Sequence, residues 1–225
     1  MKTFKIHFIR HGLTKENFEG KYIGSTNVPL CEEGINRLNQ LKENYNYPKA
    51  DIVYSSPLKR CLETAKLFYP DSKILEIPGL AECDFGKWEG RTAEELKNDQ
   101  DFISWLSGKD TIENMHGETM SDFVKRISDS FEKIVIDIIK NQIENTVIVT
   151  HGGVIMTLLS IYGIPKAKST DWIVGNGCGY SARVTSNLFM RNKVFEVYSK
   201  IPEEDQKNSR SETKYIKDSF KNFEN

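Results

Sequence analysis

Two histidines, His11 and His151, each follow a short run of β-forming residues and precede glycine, in Ile9-Arg10-His11-Gly12 and Thr150-His151-Gly152-Gly153. A lone histidine at a strand end is ordinarily a hydrogen-bonded structural residue. Two in matching glycine contexts imply a shared edge of a parallel sheet, where ligands are met. Arg10 beside the first histidine, and Arg60 one helical turn past Pro57, offer planar forks suited to phosphate oxygens. Either arginine taken alone would read as a surface ion-pair partner. Glu82 lies in Leu80-Ala81-Glu82-Cys83-Asp84-Phe85, a carboxylate among apolar and aromatic neighbours. Such surroundings raise a carboxyl pKa toward general-acid use, unless the loop leaves the group solvated.

These side chains need a scaffold that brings strand ends together. Lys5 to Ile9 reads as a first strand and Glu32 to Tyr45, with Ile35, Leu38 and Leu41 at helical spacing, as a first helix. Asp51 to Tyr54 is expected as a strand; Ser56 as N-cap and Pro57 at the first helical position then open a helix from Leu58 to Phe68. Lys73 to Ile77 reads as a short strand, and Pro78 to Asp110 as loops and short helices that cover something. Phe123, Ile127, Phe131, Ile134 and Ile138 form the stripe of a long amphipathic helix between Glu118 and Asn141. Thr146 to Thr150 is an apolar run typical of a buried parallel strand, followed by a helix from Val154 to Tyr162. Tyr180 to Thr185 and Val194 to Tyr198 are expected to close the sheet as a hairpin. Alternating strands and helices imply a mostly parallel sheet covered on both faces. Residues 1–202 are expected as one domain with a covering insertion at about 83–117, and residues 203–225 as a polar tail carrying Tyr215, Ile216, Phe220 and Phe223 at near-helical steps.

Composition sets the outer bounds. The 225 residues are 38% hydrophobic and 28% charged, an ordinary soluble globular balance. With 31 basic and 32 acidic residues and a formal net charge of -1, no global field recruits nucleic acid or an anionic membrane. The absence of a signal-peptide pattern and of any long apolar run leads to the expectation of a cytoplasmic protein. Cys31, Cys61, Cys83 and Cys178 show no paired spacing and read as reduced packing residues, with Cys61 and Cys83 adjacent in sequence to Arg60 and Glu82. His7 reads as a strand residue, whereas His116 could approach a substrate from the covering segment. Metal-ligand spacings and a Walker A loop are missing, and Gly175-Asn176-Gly177-Cys178-Gly179 precedes a strand, so it is given a turn role; no metal and no cofactor are expected.

Four of these motifs, in order, resemble the histidine phosphatase superfamily in its phosphoglycerate-mutase-like branch, over roughly residues 4 to 198. Arg10-His11-Gly12-Leu13-Thr14 with Asn17 is similar to the signature loop, with Leu13 where many members carry an acidic residue. Ser55-Ser56-Pro57-Leu58-Lys59-Arg60 is similar to the second arginine motif, Leu80-Ala81-Glu82 to the acid motif, and Thr150-His151-Gly152-Gly153 to the second histidine. The resemblance implies a three-layer α/β/α sandwich and a metal-independent phosphoryl transfer with His11 as nucleophile. An attacking imidazole must be neutral, so the other ring N–H of His11 needs a fixed acceptor in the adjacent loop. Arg10, Arg60, Asn17 and His151 would aim donors at the phosphoryl oxygens, with Thr14 and Gly152 in the same binding set. Glu82 would protonate the leaving oxygen and then take a proton from the water that attacks phosphohistidine.

The resemblance also bears on the reaction. Mutases of the superfamily follow the acid motif with a long arginine-bearing insertion; Asp84-Phe85-Gly86-Lys87-Trp88-Glu89-Gly90-Arg91 stands here instead, which is similar to the phosphatases. Phe85-Gly86-x-Trp88-Glu89, Gly117-Glu118 and Asn176-Gly177-Cys178-Gly179-Tyr180-Ser181, with Tyr22-x-Gly24 and Pro29-Leu30, resemble the alpha-ribazole phosphatases of cobalamin assembly. The expected partner is a small-molecule phosphate ester, and the expected assembly a monomer or homodimer. The alternatives are a cofactor-dependent phosphoglycerate mutase and a noncatalytic phospho-ligand binding module. Intact nucleophile and acid positions argue against the second.

Overall fold

The first strand, β1 (Thr3–Arg10), buries side chains on both of its faces, as a central strand must: Phe4, Ile6 and Phe8 point into one core and Ile9 into another. The computed structural model describes residues 2–106 and 117–203. His116 and the tail positions Tyr215, Ile216, Phe220 and Phe223 lie outside the described residues. After β1 come α1 (Lys15–Phe18), α2 (Glu32–Asn44), β2 (Ile52–Ser55), α3 (Lys59–Phe68) and β3 (Ile74–Glu76). Single helical turns at Pro78–Leu80 and Gly86–Trp88 lead into α4 (Ala93–Leu96) and α5 (Gln100–Leu106). The remaining elements are α6 (Met120–Asn141), β4 (Asn145–Thr150), α7 (Gly152–Tyr162), β5 (Gly163–Ile164), a single helical turn at Ser169–Trp172, β6 (Gly179–Thr185), α8 (Ser186–Asn192) and β7 (Phe195–Ile201).

The seven strands among the described residues form one sheet in the order β3-β2-β4-β1-β6-β7-β5. Within it only β6 runs against its neighbours, pairing antiparallel with both β1 and β7. Helices α6, α7 and α8 pack on one face and α2 and α3 on the other, giving a three-layer α/β/α sandwich. The longest helix, α6, starts where the Thr119 hydroxyl accepts from Asp122 N and ends at Gln142, whose φ of 57° closes it in the left-handed region. Its stripe Phe123, Ile127, Phe131, Ile134, Val135 and Ile138 is buried. Phe131 is the hub: its ring lies 5.8 Å from Phe8, 5.2 Å from Tyr162 and 5.6 Å from Phe195.

Two expectations change. The helix after Pro57 begins at Lys59 with Leu58 as its cap, whose own side chain makes no cap bond; the Ser56 hydroxyl accepts from Leu58 N at 3.4 Å and lies closer to His151 Nε2, 2.8 Å away. The closing hairpin is not tight, because α8 lies between β6 and β7 and buries Phe189 in the larger core. Residues 83–106 build a small aromatic core of their own, in which Trp88, Leu96 and Phe102 are buried against Tyr22, Phe85 and Trp105.

Strand register sets the site. β1 pairs parallel with β4 so that Arg10 lies beside Thr150, and His11 N donates to Thr150 O at 2.9 Å. β4 pairs parallel with β2 so that Val149 lies beside Ser55, and Ser56 N donates to Val149 O at 2.9 Å. The carboxyl ends of three strands thus carry His11, His151 and Ser56 in a row.

Candidate active site

His11 leaves β1 nearly buried, and its Nδ1 lies 2.7 Å from the carbonyl oxygen of Gly12. A carbonyl only accepts, so Nδ1 carries the proton and the Nε2 lone pair is left for chemistry. This is the loop acceptor that an attacking imidazole requires. The turn is itself held: Gly12 N donates to Thr64 Oγ1 at 2.9 Å, and Asn176 Nδ2 donates to His11 O at 3.0 Å. Burial first, then the charges of Arg60 and Arg10, hold the His11 pKa well below its ordinary 6.5, so the ring is neutral.

His151 sits at the end of β4 as the N-cap of α7, its ring centroid 5.1 Å from that of His11. Its Nε2 is 2.8 Å from Ser56 Oγ and 3.4 Å from Cys61 Sγ. Burial and the same two arginines, together with His11, also depress its pKa. The buried Cys61 thiol is pushed up to about 12 by burial, which makes it a packing group beside the histidine and not a thiolate.

The two arginines are used differently. Arg10 lines the cavity, donates from Nη1 to Val174 O at 2.7 Å and passes over Gly152, where a Cβ would lie 3.5 Å from its Nε. Arg60 is buried below, with Nη1 donating to Thr26 O at 2.8 Å and Nη2 to Gly24 O at 2.7 Å. Both ends of its fork therefore hold the 24–26 loop, while Nε is buried with no hydrogen-bond partner among the described residues. The same loop has its N–H groups gathered by Glu89, which accepts from Gly24, Ser25 and Thr26.

Glu82 enters from the turn after β3. Its Oε2 accepts from Gly153 N at 2.9 Å and its Oε1 from Cys83 N at 3.1 Å. Burial raises its pKa and outweighs the lowering by those two N–H groups and by Arg60 and Arg10. A Cβ at Gly153 would fall 2.5 Å from Glu82 Oε1, so a side chain there would push the carboxyl aside. Asn17 lines the cavity with Oδ1 taken by Thr14 N at 3.4 Å, which leaves its amide donors available. Thr14 is fully buried, and its hydroxyl accepts from Asn17 N at 3.2 Å; it caps α1 and fixes Asn17, and is not among the lining residues.

The cavity, lined by Arg10, His11, Asn17, Glu82 and Gly152, with His151 and Arg60 buried behind its lining, has a volume of about 840 Å³, far more than one phosphate needs. Its far walls are mostly apolar, including Tyr22, Phe85, Met156 and Ile173, with Lys21 and Arg37 as further cations. Lys21 and Arg37 carry no signal in their local sequence that would assign them to the site, whereas Ser56 and Gly153 stand inside the motifs around Arg60 and His151 without a role of their own, and Asn176 stands in a glycine cluster read as a turn. Among the described residues no cluster of three or more His, Cys, Asp or Glu side chains can hold a metal. Nor is any described helix long and apolar enough to cross a membrane.

A family model described as histidine phosphatase superfamily (branch 1) matches residues 6–192. The chain belongs to this superfamily. It is 28% identical to the adenosylcobalamin/alpha-ribazole phosphatase of Escherichia coli (strain K12) over 180 residues, 77% of this chain and 87% of that one. It is 30% identical to phosphoserine phosphatase 1 of Hydrogenobacter thermophilus over 135 residues, 58% of this chain and 64% of that one. The crystal structure of the alpha-ribazole phosphatase from Shigella flexneri superposes with a TM-score of 0.72 at 25% identity, covering 87% of this chain and 95% of that one.

Proposed function

We propose that this chain is a metal-independent phosphomonoesterase that transfers phosphate from a small-molecule ester to His11 Nε2 and then to water. The observation that carries this reading is the His11 Nδ1 to Gly12 O bond, which presents a neutral nucleophile near a carboxyl whose pKa burial raises. The ester approaches with its phosphoryl group over His11. Nε2 attacks phosphorus, the bond to the ester oxygen breaks, and the Glu82 proton passes to the departing oxygen. The ionised Glu82 then takes a proton from water, whose oxygen attacks the phosphohistidine and restores His11. Arg10, Asn17 and His151, with Arg60 beneath them, hold the charge on the transferring group. A Ser56 hydroxyl donating to His151 Nε2 leaves the proton of that ring on Nδ1.

Hydrolysis is favoured over mutase chemistry by the segment on the carboxyl side of Glu82. Residues 83–106 supply Phe85, Ala93 and Leu106 to the cavity wall, and Arg91, the arginine of that segment, donates to Glu95 O within its own turn. The broad, largely apolar cavity and the similarity to alpha-ribazole phosphatases make alpha-ribazole 5'-phosphate the first substrate to try. A panel of phosphate esters that includes it, assayed with a chelator present, is expected to release inorganic phosphate at an undiminished rate. Rapid formation of 2-phosphoglycerate from 3-phosphoglycerate and bisphosphoglycerate without free phosphate would replace this reading with the mutase.

A further inference from the structure

We propose that Arg126, on the second turn of α6, is a positioning residue that fixes where the Glu82 carboxyl points; this rests on the reading of Glu82 as the acid. Arg126 Nη1 donates to Gly79 O and to Ala81 O, each at 3.0 Å, and Nη2 donates to Glu82 O at 3.3 Å. The same guanidinium is paired with Glu118, 2.7 Å from Nε and 2.6 Å from Nη2. Glu118 N in turn donates to Asp84 O at 3.0 Å. The backbone from Gly79 to Asp84 is therefore pinned on both sides of the acid by one ion pair.

The sequence allows this approach at one place. A Cβ on Gly79 would fall 1.7 Å from Ser130 Oγ, so only glycine lets α6 come close enough for Arg126 to reach the turn. The turn itself leaves these carbonyls without sheet or helix partners, and a planar fork with donors on several edges suits them where an ammonium would not. The carboxyl of Glu82 also accepts from Gly153 and Cys83. Those bonds aim it only if the backbone carrying it stays in place. A displacement on the order of 1 Å at a reacting group can cost about a hundredfold in rate.

The test compares kcat/KM, which reports the steps through departure of the leaving group, for glycerol 2-phosphate and for para-nitrophenyl phosphate, whose leaving group hardly needs a proton. Wild type, Glu82→Gln, Arg126→Met, Arg126→Lys and the Glu82→Gln/Arg126→Met double variant are measured. Arg126→Met is expected to lower the glycerol 2-phosphate value about tenfold or more relative to the nitrophenyl ester, a fraction of the roughly hundredfold to ten-thousandfold supplied by a general acid. Arg126→Lys should share the defect, and on the Glu82→Gln background the selective loss should vanish. Equal losses on both esters, a selective loss that persists without Glu82, or full rescue by lysine would overturn the proposal. Should Arg126→Met fail to fold, Arg126→Lys alone carries the same comparison. If Glu82→Gln itself does not discriminate between the esters, the acid reading falls and takes this one with it. If it does discriminate and the Arg126 variants do not, the positioning role alone is lost.

Discussion

At the scale of single residues, the site separates two ionisable groups whose environments push them in opposite directions. His11 is held well below 6.5, and Glu82 is held above the ordinary carboxylate range. As the proposed nucleophile, His11 therefore stays unprotonated at mildly acidic pH, whereas Glu82, the proposed acid, loses its proton as pH rises through its raised pKa. The pH profile of kcat/KM for an alkyl phosphate should fall on the alkaline side through loss of the Glu82 proton. In Glu82→Gln that limb should disappear relative to wild type on the same substrate, a comparison that cancels titration of the ester itself. His11→Ala should abolish turnover of para-nitrophenyl phosphate while circular dichroism and melting stay those of a folded chain. Undiminished hydrolysis in that variant would remove His11 from the mechanism. Outside the site, burial and then Lys5 lower His7 to about 4, while its Nδ1 meets Ser181 Oγ at 2.9 Å. The unfolded chain binds that proton more readily, so stability is full above pH 6.5 and declines as pH falls toward 4. The span corresponds to at most about 3 kcal/mol. Denaturant melts of wild type and His7→Gln should converge, or cross, between neutral pH and the acid end of that window.

At the scale of elements, the start of α7 does the positioning. Gly153→Ala places a methyl group against Glu82 Oε1 and should mimic loss of the acid, lowering kcat/KM on glycerol 2-phosphate about tenfold or more while sparing the nitrophenyl ester by comparison. Equal losses on the two esters would mean the methyl group disturbs more than the acid. How much of this was legible in the sequence depends on range. The strand ends at Ile9-Arg10-His11 and Val149-Thr150-His151 are legible because β-branched runs and the glycines after them are local signals, and so is the stripe Phe123, Ile127, Phe131, Ile134 and Ile138 of α6, to which the structure adds Val135. Ser56 is the instructive failure. Its place before Pro57 has every local mark of a helix cap, yet beside a long bond from Leu58 N its hydroxyl meets a histidine 95 residues away. Asn176 reads as a turn residue in a glycine cluster and turns out to brace the His11 loop from 165 positions away. Arg126 falls on the polar side of an amphipathic helix, and nothing in its neighbours announces the carbonyls it meets. Arg60 shows the intermediate case, since its motif marks it for the site but not the way its fork is spent on Gly24 and Thr26.

For the molecule as a whole, stability is concentrated in the larger core, where sheet and helices meet around one ring. Phe131 has no exposed surface and touches β1, α7, α8 and β7 through Phe8, Tyr162, Phe189 and Phe195. Phe131→Ala should cost about 3–5 kcal/mol, read as a lowered denaturant midpoint with an unchanged slope. A cost under about 1 kcal/mol would mean the cavity closes by repacking. The covering segment should respond differently, because Trp88, Leu96 and Phe102 make a separate cluster. The sheet order has a further outcome during synthesis. β4 lies between β1 and β2 in space but comes after both in the chain. While the polypeptide leaves the ribosome, the strands that lead to the first histidine and the second arginine emerge long before the strand that joins them. Each presents an unsatisfied edge in the meantime. An interrupted translation product ending before Asn145 would carry Arg10, His11, Arg60 and Glu82 on unjoined pieces of sheet and would lack His151 altogether. Such a fragment would be a candidate for chaperone capture, with no residual activity to betray it.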